Sequence, residues 1–270
     1  MTSTTENFNN LNEFQNVKYL LTSSMRTLIL VVLYNESKNL NEIRDELKKP
    51  SATILHGLKE LESDELIKKD KKDYSLTSNG YLLATNVIKL IDNWYSIEKN
   101  KIFWNNHDLR GIPDDYLNKL YLLKDAKFVS STTSDLSNAY NSYVELISTS
   151  RELTIILPIY SENHFNNLIK LLKENQLISL TILINSKILK NMRRNRYLKK
   201  SLLENRKVTV IETREDLKIF LTFSEKFMAL TLFFKDNHYD DSQMLIDKHE
   251  NALKWSKGVF NAYKGDNDYE

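Results

Sequence analysis

The sequence predicts a mixed α/β protein, and three patterns predict it. A helical period dominates roughly the first hundred residues, a heptad-spaced helix follows Ser78, and short apolar runs alternate with amphipathic helices from about residue 106 onward. The expected parts are residues 1–77, a helical unit ending in a hairpin; 78–105, a linking or dimerisation helix; and 106–270, an α/β domain with a mixed, largely parallel sheet. A chain of 270 residues suits two modest cores rather than one.

From Asn16 to Tyr34 the apolar positions Val17, Leu20, Leu21, Leu28, Val31 and Val32 fall mostly at helical spacings, which predicts one long helix or a pair. A shorter helix is expected from Leu40 to Lys48, with Asn39 as its cap and Leu40, Ile43 and Leu47 on one face. Lys49 and Pro50 then make a tight turn, because proline's fixed φ and missing N–H suit the start of the next helix. That helix, from Ser51 to Glu62, sets Ile54, Leu58 and Leu61 at i, i+4, i+7 and faces them inward. Its opposite face carries Ser51, Thr53, His56 and Lys59. Leu66 to Lys69 and Tyr74 to Leu76 read as two short strands around a lysine-rich turn. Helix, short helix, Pro-containing turn, helix and basic hairpin, in that order, make a winged helix-turn-helix, whose third helix enters the major groove of DNA.

The chemistry agrees residue by residue. Small polar side chains at the start of the third helix, Ser51 and Thr53, approach base edges most closely, and His56 and Lys59 reach bases or phosphates one and two turns along. Lys68, Lys69, Lys71 and Lys72 in the hairpin displace counterions from the backbone. Alone, a polar helix face or a Lys-rich turn is usually just solvated surface. Acidic Glu60, Glu62, Asp64, Glu65, Asp70 and Asp73 lie among these lysines, and the net charge of the chain is only +2, so the DNA reading rests on pattern rather than charge. The alternative is a protein-interaction module whose winged helix does not bind DNA.

After Ser78, Leu83, Val87, Leu90, Trp94 and Ile97 alternate steps of four and three, a heptad seam on a helix expected to reach about Ile102. Such a seam is buried against the chain's own second domain or against the same helix of a second subunit, and a homodimer is the favoured reading. Phe103 to Pro113 mixes aromatics with Asn, Gly and Pro and reads as a connecting loop. Beyond it, a helix is expected around Asp114 to Leu122. Strands are expected near 127–130, 153–157, 180–184, 208–211, 219–223 and 228–233, and helices near 136–148, 164–174, 187–203 and 250–263. In an open α/β sheet, ligands bind outside the carboxyl ends of parallel strands. That topology nominates Thr132, Thr133, Pro158, Tyr160, His164, Asn185 and Ser186 for a small-molecule effector.

Composition excludes several chemistries. No cysteine is present, which removes disulfides, thiol nucleophiles and Cys-ligated metals and fits a reducing compartment. The opening MTSTTENFNNLNEF has neither the basic nor the apolar stretch of a secretory signal, so a soluble cytoplasmic protein is expected. Phosphate-loop, zinc-protease and nucleophile-elbow motifs are absent, and neither cofactor nor metal nor catalytic residue is expected. His238, Asp240 and Asp241 have metal-binding side chains, but a polar turn between strands accounts for them. The run from Lys187 to Lys207 holds Lys187, Lys190, Arg193, Arg194, Arg196, Lys199, Lys200, Arg206 and Lys207 against one acid, Glu204. It is read as a solvated helix face or, alternatively, as a contact for an anion or for further DNA.

Two resemblances add to this. SATILHGLKELESDELI, the basic hairpin and YSLTSNG resemble the winged-helix segment of archaeal and bacterial ArsR- or MarR-like regulators, over about the first hundred residues. Glu65 departs from them, standing where such sequences commonly have a left-handed glycine. DLKIFLTFSEKFMALTLFFKDNHYDDSQMLIDKHENALKWSKGVFNAY, with its Tyr239-Asp240 turn and its Ala252, Leu253, Trp255, Phe260 and Tyr263 pattern, is similar to the C-terminal stretch of archaeal regulators carrying the methanogenesis-regulatory effector domain. Core packing is the simpler account of that last pattern. The resemblance implies a methanogen transcriptional regulator with a ligand-sensing or assembly domain. The effector pattern also resembles the phospholipase D-like fold in degenerate form. That hydrolytic chemistry needs a histidine with lysine two residues later, which none of the five histidines has, and no enzyme is expected.

Overall fold

Residues 18–22 (α1) are helical and stop at Ser23, whose hydroxyl accepts the Arg26 N–H at 3.3 Å and caps the next helix, α2 (Ser24–Val32). The first apolar segment is thus a pair of helices. This computed structural model describes residues 18–265, so Asn16 and Val17 lie outside the described residues. β1 (Lys38–Asn39) leads into α3 (Leu40–Leu47), where Asn39 and Glu42 form a reciprocal capping box. Lys48 closes α3 in the left-handed conformation, φ 50°, and Pro50 starts α4 (Ser51–Ser63). β2 (Ile67–Asp70) and β3 (Asp73–Leu76) pair as a hairpin with Lys71 and Lys72 at its tip, Lys71 at φ 55°. β1 adds to the other side of β3, giving the antiparallel order β1-β3-β2. Two residues carry no period, which is why β1 is invisible in the sequence.

Ile54, Leu58 and Leu61 of α4 are fully buried, as their spacing requires, and pack with Ile29, Leu30, Ile43, Ile67 and Tyr74. Complete burial of such a side chain stabilises by about 1.5–3 kcal/mol, so this small core is enough to hold a short hairpin against three helices. α5 (Ser78–Lys99) closes the core with Ala84 and Val87. Its start is fixed by close packing. Glu65 takes φ 56°, the conformation that glycine usually supplies, and Thr77 donates its hydroxyl to the Glu65 carbonyl at 2.7 Å while accepting the Gly80 N–H at 3.1 Å. A Cβ on Gly80 would lie 1.8 Å from the Leu66 carbonyl oxygen, so only glycine fits.

The chain divides into two compact units, Met1–Ile91 and Asp92–Glu270, a division that falls inside α5. The heptad seam is likewise shared out. Val87 is buried and Leu83 half-buried in the first unit's core, Ile97 packs against a core of the second unit, and Leu90 and Trp94 are exposed. α5 ends before the expected Ile102. After Asn100, a separate helix, α6 (Lys101–Asn106), buries Phe103 and Trp104. The segment read as a connecting loop is therefore core structure: α6, β4 (His107–Asp108) and a 3-10 turn over Leu109–Gly111. Its aromatics, not its Asn and Gly, decide its fate.

The second unit continues through α7 (Asp114–Leu117), a 3-10 turn (Leu120–Leu123), β5 (Lys127–Ser130), α8 (Asn138–Ser148), β6 (Glu152–Ile156), α9 (Glu162–Lys173) and β7 (Ser179–Asn185). Then come α10 (Ser186–Arg194), α11 (Arg196–Leu198), a π-helical turn (Lys199–Leu203), β8 (Val208–Thr213), β9 (Ile219–Phe223), β10 (Met228–Phe234), β11 (Gln243–Asp247) and α12 (Glu250–Lys264). The helix expected at 187–203 is interrupted because Asn195 leaves helical geometry and caps the turn after it, accepting the Tyr197 N–H at 3.0 Å.

The sheet order is β5-β11-β10-β9-β6-β7-β8, with β4 added to β10. It is mixed, as expected, but it is not largely parallel: among the described residues only β6–β7 and β7–β8 pair in parallel. β9, β10 and β11 follow one another through connections too short for a crossover and must run antiparallel. β11 also escapes the sequence reading, because Gln243 and Asp247 bracket only three apolar residues. Alternate residues feed opposite faces. Leu180, Ile182 and Ile184 join one core with α8, α9 and α10, while Ile156, Leu183, Leu221 and Leu230 join another with α6 and α12. Trp255 is a buried packing residue whose Nε1 donates to the Tyr116 carbonyl at 3.0 Å, and the Tyr263 hydroxyl donates to the Gly111 carbonyl at 2.6 Å.

Gly80→Ala is expected to destabilise the first unit by about 3 kcal/mol through backbone overpacking. A denaturation midpoint equal to the wild type's would show that the Leu66–Gly80 approach is not tight.

Candidate nucleic-acid interface

α4 presents two sharply different faces. Beneath it lie Ile54, Gly57, Leu58 and Leu61; outward stand Thr53, His56 and Lys59, all exposed, with Ser51 half-exposed at the first turn. Pro50 gives no side-chain cap, so the N–H groups of the first turn and the positive end of the helix dipole are left toward an incoming anion. Glu60 stands among these polar groups, but its charge is engaged: Oε2 accepts from the nearly buried Arg26 at 3.0 Å, and Oε1 lies 3.6 Å from His56 Nε2. Arg26 also donates to the Tyr19 carbonyl and stacks over the Tyr19 ring at 3.5 Å. The acid nearest this exposed polar face is thereby drawn toward the core side.

Lys68, Lys69, Lys71 and Lys72 are all exposed along β2 and the hairpin tip. Lys69 lies 5.3 Å from the centre of the Tyr74 ring across the hairpin, an arrangement that holds the side chain along the strand. Asp70 and Asp73 pair opposite each other at the base of the tip and are exposed as well, so the hairpin carries both signs.

The effector candidates do not form one site. Thr132 and Thr133 lie in the exposed loop after β5, where Thr132 bonds locally to Ser134 and Asp135. β5 is four sheet positions from β6, about 19 Å at ordinary strand spacing, whereas Tyr160 follows β6. Asn185 is used as the cap of α10, accepting the Ile188 N–H at 2.9 Å, and Ser186 next to it is exposed. Pro158 lines a separate hollow with Lys218 and Asn237.

His164 is different. It is buried at the start of α9, its Nδ1 2.9 Å from the Ser161 hydroxyl, and it lines a small cavity with Tyr140, Tyr143, Phe220, Tyr239 and Asp241. The Tyr143, Tyr140 and Phe220 rings stand 5.1–5.5 Å from the imidazole. Burial lowers the His164 pKa to about 4, with Asp241 pulling weakly the other way, and burial also raises Tyr143 and Tyr239. Sequence reading missed the tyrosines because they come from α8 and from the turn after β10, nearly a hundred residues apart.

The Tyr239-Asp240 turn has a structural task. Asp240 is buried, 2.9 Å from His107 Nε2, and Ser242 donates to its other oxygen from both N–H and hydroxyl. His107 Nδ1 is 2.6 Å from the Phe103 carbonyl, so the ring is bonded at both ends. His238 is exposed and pairs with Asp236 at 3.1 Å. No group of three or more His, Asp or Glu side chains among the described residues is arranged to hold a metal ion. No helix among the described residues is long and apolar enough to cross a membrane.

A helical unit with a basic hairpin, joined through one long helix to a mixed-sheet α/β unit, defines a two-part winged-helix chain. Two family models match it in succession: "Methanogenesis regulatory protein FilR1, N-terminal domain" over residues 14–94 and "Methanogenesis regulatory protein FilR1, middle domain" over residues 136–266. The chain belongs to this FilR1 methanogenesis regulatory protein family. The FilR1 protein of Methanothrix harundinacea is 27% identical over 251 residues, which is 92% of this chain and 56% of that protein. The chain thus spans little more than half the length of this relative. Among solved structures, the archaeal chromatin protein TrmBL2 is 12% identical over 92% of this chain and 95% of its own, with a TM-score of 0.39. Quinone-bound YodB of B. subtilis is 26% identical over 31% of this chain and 94% of its own, with a TM-score of 0.29.

The His164 environment sets a pH dependence. Its folded pKa of about 4 lies below the ordinary 6.5, so the unfolded chain binds the proton first as pH falls. The stability of the second unit is therefore complete above about pH 6.5 and declines by up to about 3 kcal/mol as pH drops through 4. Denaturation midpoints measured across that range should flatten in His164→Phe; an equal slope in the variant removes His164 as the cause.

Proposed function

We propose that this protein is a cytoplasmic DNA-binding transcriptional regulator whose helix α4 reads the major groove with Ser51, Thr53, His56 and Lys59. Lys68, Lys69, Lys71 and Lys72 hold the flanking backbone. The observation that carries this reading is the division of α4 into a fully apolar buried face and an exposed polar face, directly followed by a hairpin with a Lys-Lys tip. Membership of a family described as methanogenesis regulatory proteins supports the regulatory part. A His-x-Lys pair is absent from the sequence, so phosphodiester hydrolysis plays no part in this role.

The same reading makes the protein a homodimer joined through α5. Leu82, Leu90, Ile91, Trp94 and Tyr95 are all exposed on that helix, between 46% and 64%, more apolar surface than a solvated helix carries without a partner. The second unit then senses a small ligand or serves assembly; the cavity that His164 lines measures about 20 Å³, room for a water molecule and not for an effector.

Thr53→Ala, His56→Ala and Lys59→Ala combined are expected to lower affinity for the protein's own promoter by about 100-fold and to erase preference over unrelated DNA, each lost base contact costing about 1–3 kcal/mol. A gel-shift titration measures both. Unchanged promoter affinity would favour the protein-interaction module, which the acids of the hairpin also suit. For the dimer, Leu90→Glu with Trp94→Glu should halve the mass found by light scattering; a wild type already monomeric at micromolar concentration refutes that part.

A further inference from the structure

The charge of this chain is concentrated outside the winged helix. Residues 187–207 contain nine cations and one carboxylate, so the net +2 of the whole chain is +8 in this run set against −6 in the rest. Whatever long-range attraction the protein exerts on a polyanion comes from here.

Most of these cations lie on the outward side of three consecutive elements. α10, α11 and the π-helical turn turn their apolar side chains Ile188, Leu189, Met192, Leu198 and Leu202 into the core beside the sheet. The outward side carries Lys187, Lys190, Arg193, Arg194, Arg196 and Lys200, all exposed, and none has a hydrogen-bond or ion-pair partner for its side chain among the described residues. The single acid, Glu204, lies 3.6 Å from Lys199. A solvated helix face in an ordinary protein interleaves both signs and pairs them at i, i+3 or i, i+4; this one does neither.

We propose that this face is a second polyanion-binding surface, which holds the phosphate backbone of double-stranded DNA without reading its sequence. Three observations select a nucleic-acid backbone over other anionic partners. The nine residues of α10 span about 13 Å, beside which a duplex presents about eight phosphate charges, so cations one turn apart meet anions at comparable density. Three of the exposed cations are arginines, whose planar guanidinium donates two parallel N–H groups to a phosphate. Finally, the face has no apolar centre. Tyr197 is its one exposed large apolar side chain among the described residues, and it is engaged by Lys173, whose ammonium donates to its hydroxyl at 3.3 Å. A protein interface of any stability needs a buried apolar or aromatic core. A helix lying on a membrane needs its apolar face free, and here that face is in the core. Contacts of this kind add affinity and salt dependence, not specificity.

The test uses the full chain, a labelled duplex of arbitrary sequence and a series of NaCl concentrations, with binding followed by fluorescence anisotropy. Each phosphate contact contributes about 0.9 to the slope of log K against log salt. The variant Lys190→Gln, Arg193→Gln, Arg194→Gln, Lys200→Gln, altered only at exposed positions, should lose about 3 from that slope and bind about 100-fold more weakly at moderate salt. A retained slope in this variant overturns the proposal, and so does wild-type chain that ignores the duplex while binding vesicles of phosphatidylserine and phosphatidylcholine. The Thr53, His56, Lys59 alanine variant, run in parallel, separates this surface from the winged helix. Loss of promoter preference there, with the salt slope largely kept, leaves both readings standing. A wild type without promoter preference whose slope still falls in the glutamine variant sinks the winged-helix reading alone.

Discussion

The backbone of Leu66 and the α-carbon of Gly80 approach so closely that no side chain fits between them, and the surface proposed to read DNA depends on that approach. It determines where the hairpin leaves α4 and where α5 begins. Thr77 bonds to both sides of the junction, and Glu65 accepts a left-handed backbone to let the chain turn in time. If the turn opened by one residue, Ile67 and Tyr74 would exchange faces with their neighbours, and Lys68 of β2 would point toward the core. The chemistry proposed for the hairpin is therefore a consequence of steric exclusion several residues away.

The second unit depends on a buried polar contact in a comparable way. His107 and Asp240 come from segments 133 residues apart and meet where neither is solvated. Removing one partner would strand the other in a low-dielectric interior, at a cost of several kcal/mol. The pair thus specifies that β4 joins β10 and not another edge, and it holds the Tyr239 turn beside the cavity that His164 lines.

What the sequence made legible was local. Asn39, Pro50 and the inward set Ile54, Leu58 and Leu61 each act within or at the start of one helix, so residue order alone places them; Glu42, the other half of the capping box, is legible only in the structure. Six of the strands in the second unit, β5 to β10, are equally readable from their apolar runs, such as Leu180 to Ile184; β4 and β11 are not. Strand order was not readable. β5 pairs with β11 across more than a hundred residues, and no periodicity near residue 127 points to residue 244. Phe103 and Trp104 misled for a related reason: their neighbours Asn105, Asn106 and Gly111 carry the composition of a loop, while burial is decided by partners on α12 and the sheet. Among the effector residues, Thr132 and Thr133 follow β5, an antiparallel strand to which the rule for parallel strands does not extend, whereas Tyr160 and Asn185 follow the parallel pair β6 and β7.

Three turns of the first unit, at Lys48, Glu65 and Lys71, hold charged residues in the left-handed backbone region, in a chain with five glycines. Each costs about 1 kcal/mol relative to glycine. For Glu65 the strain serves the turn between α4 and β2, while Lys48 precedes the turn into α4 and Lys71 stands at the hairpin tip. Relaxing those two positions to glycine would make the fold sturdier and the surface less basic in the same step. Thermal robustness and attraction for an anion are thus opposed at the same two backbone positions, and a stabilised form of this protein has to find its gain elsewhere.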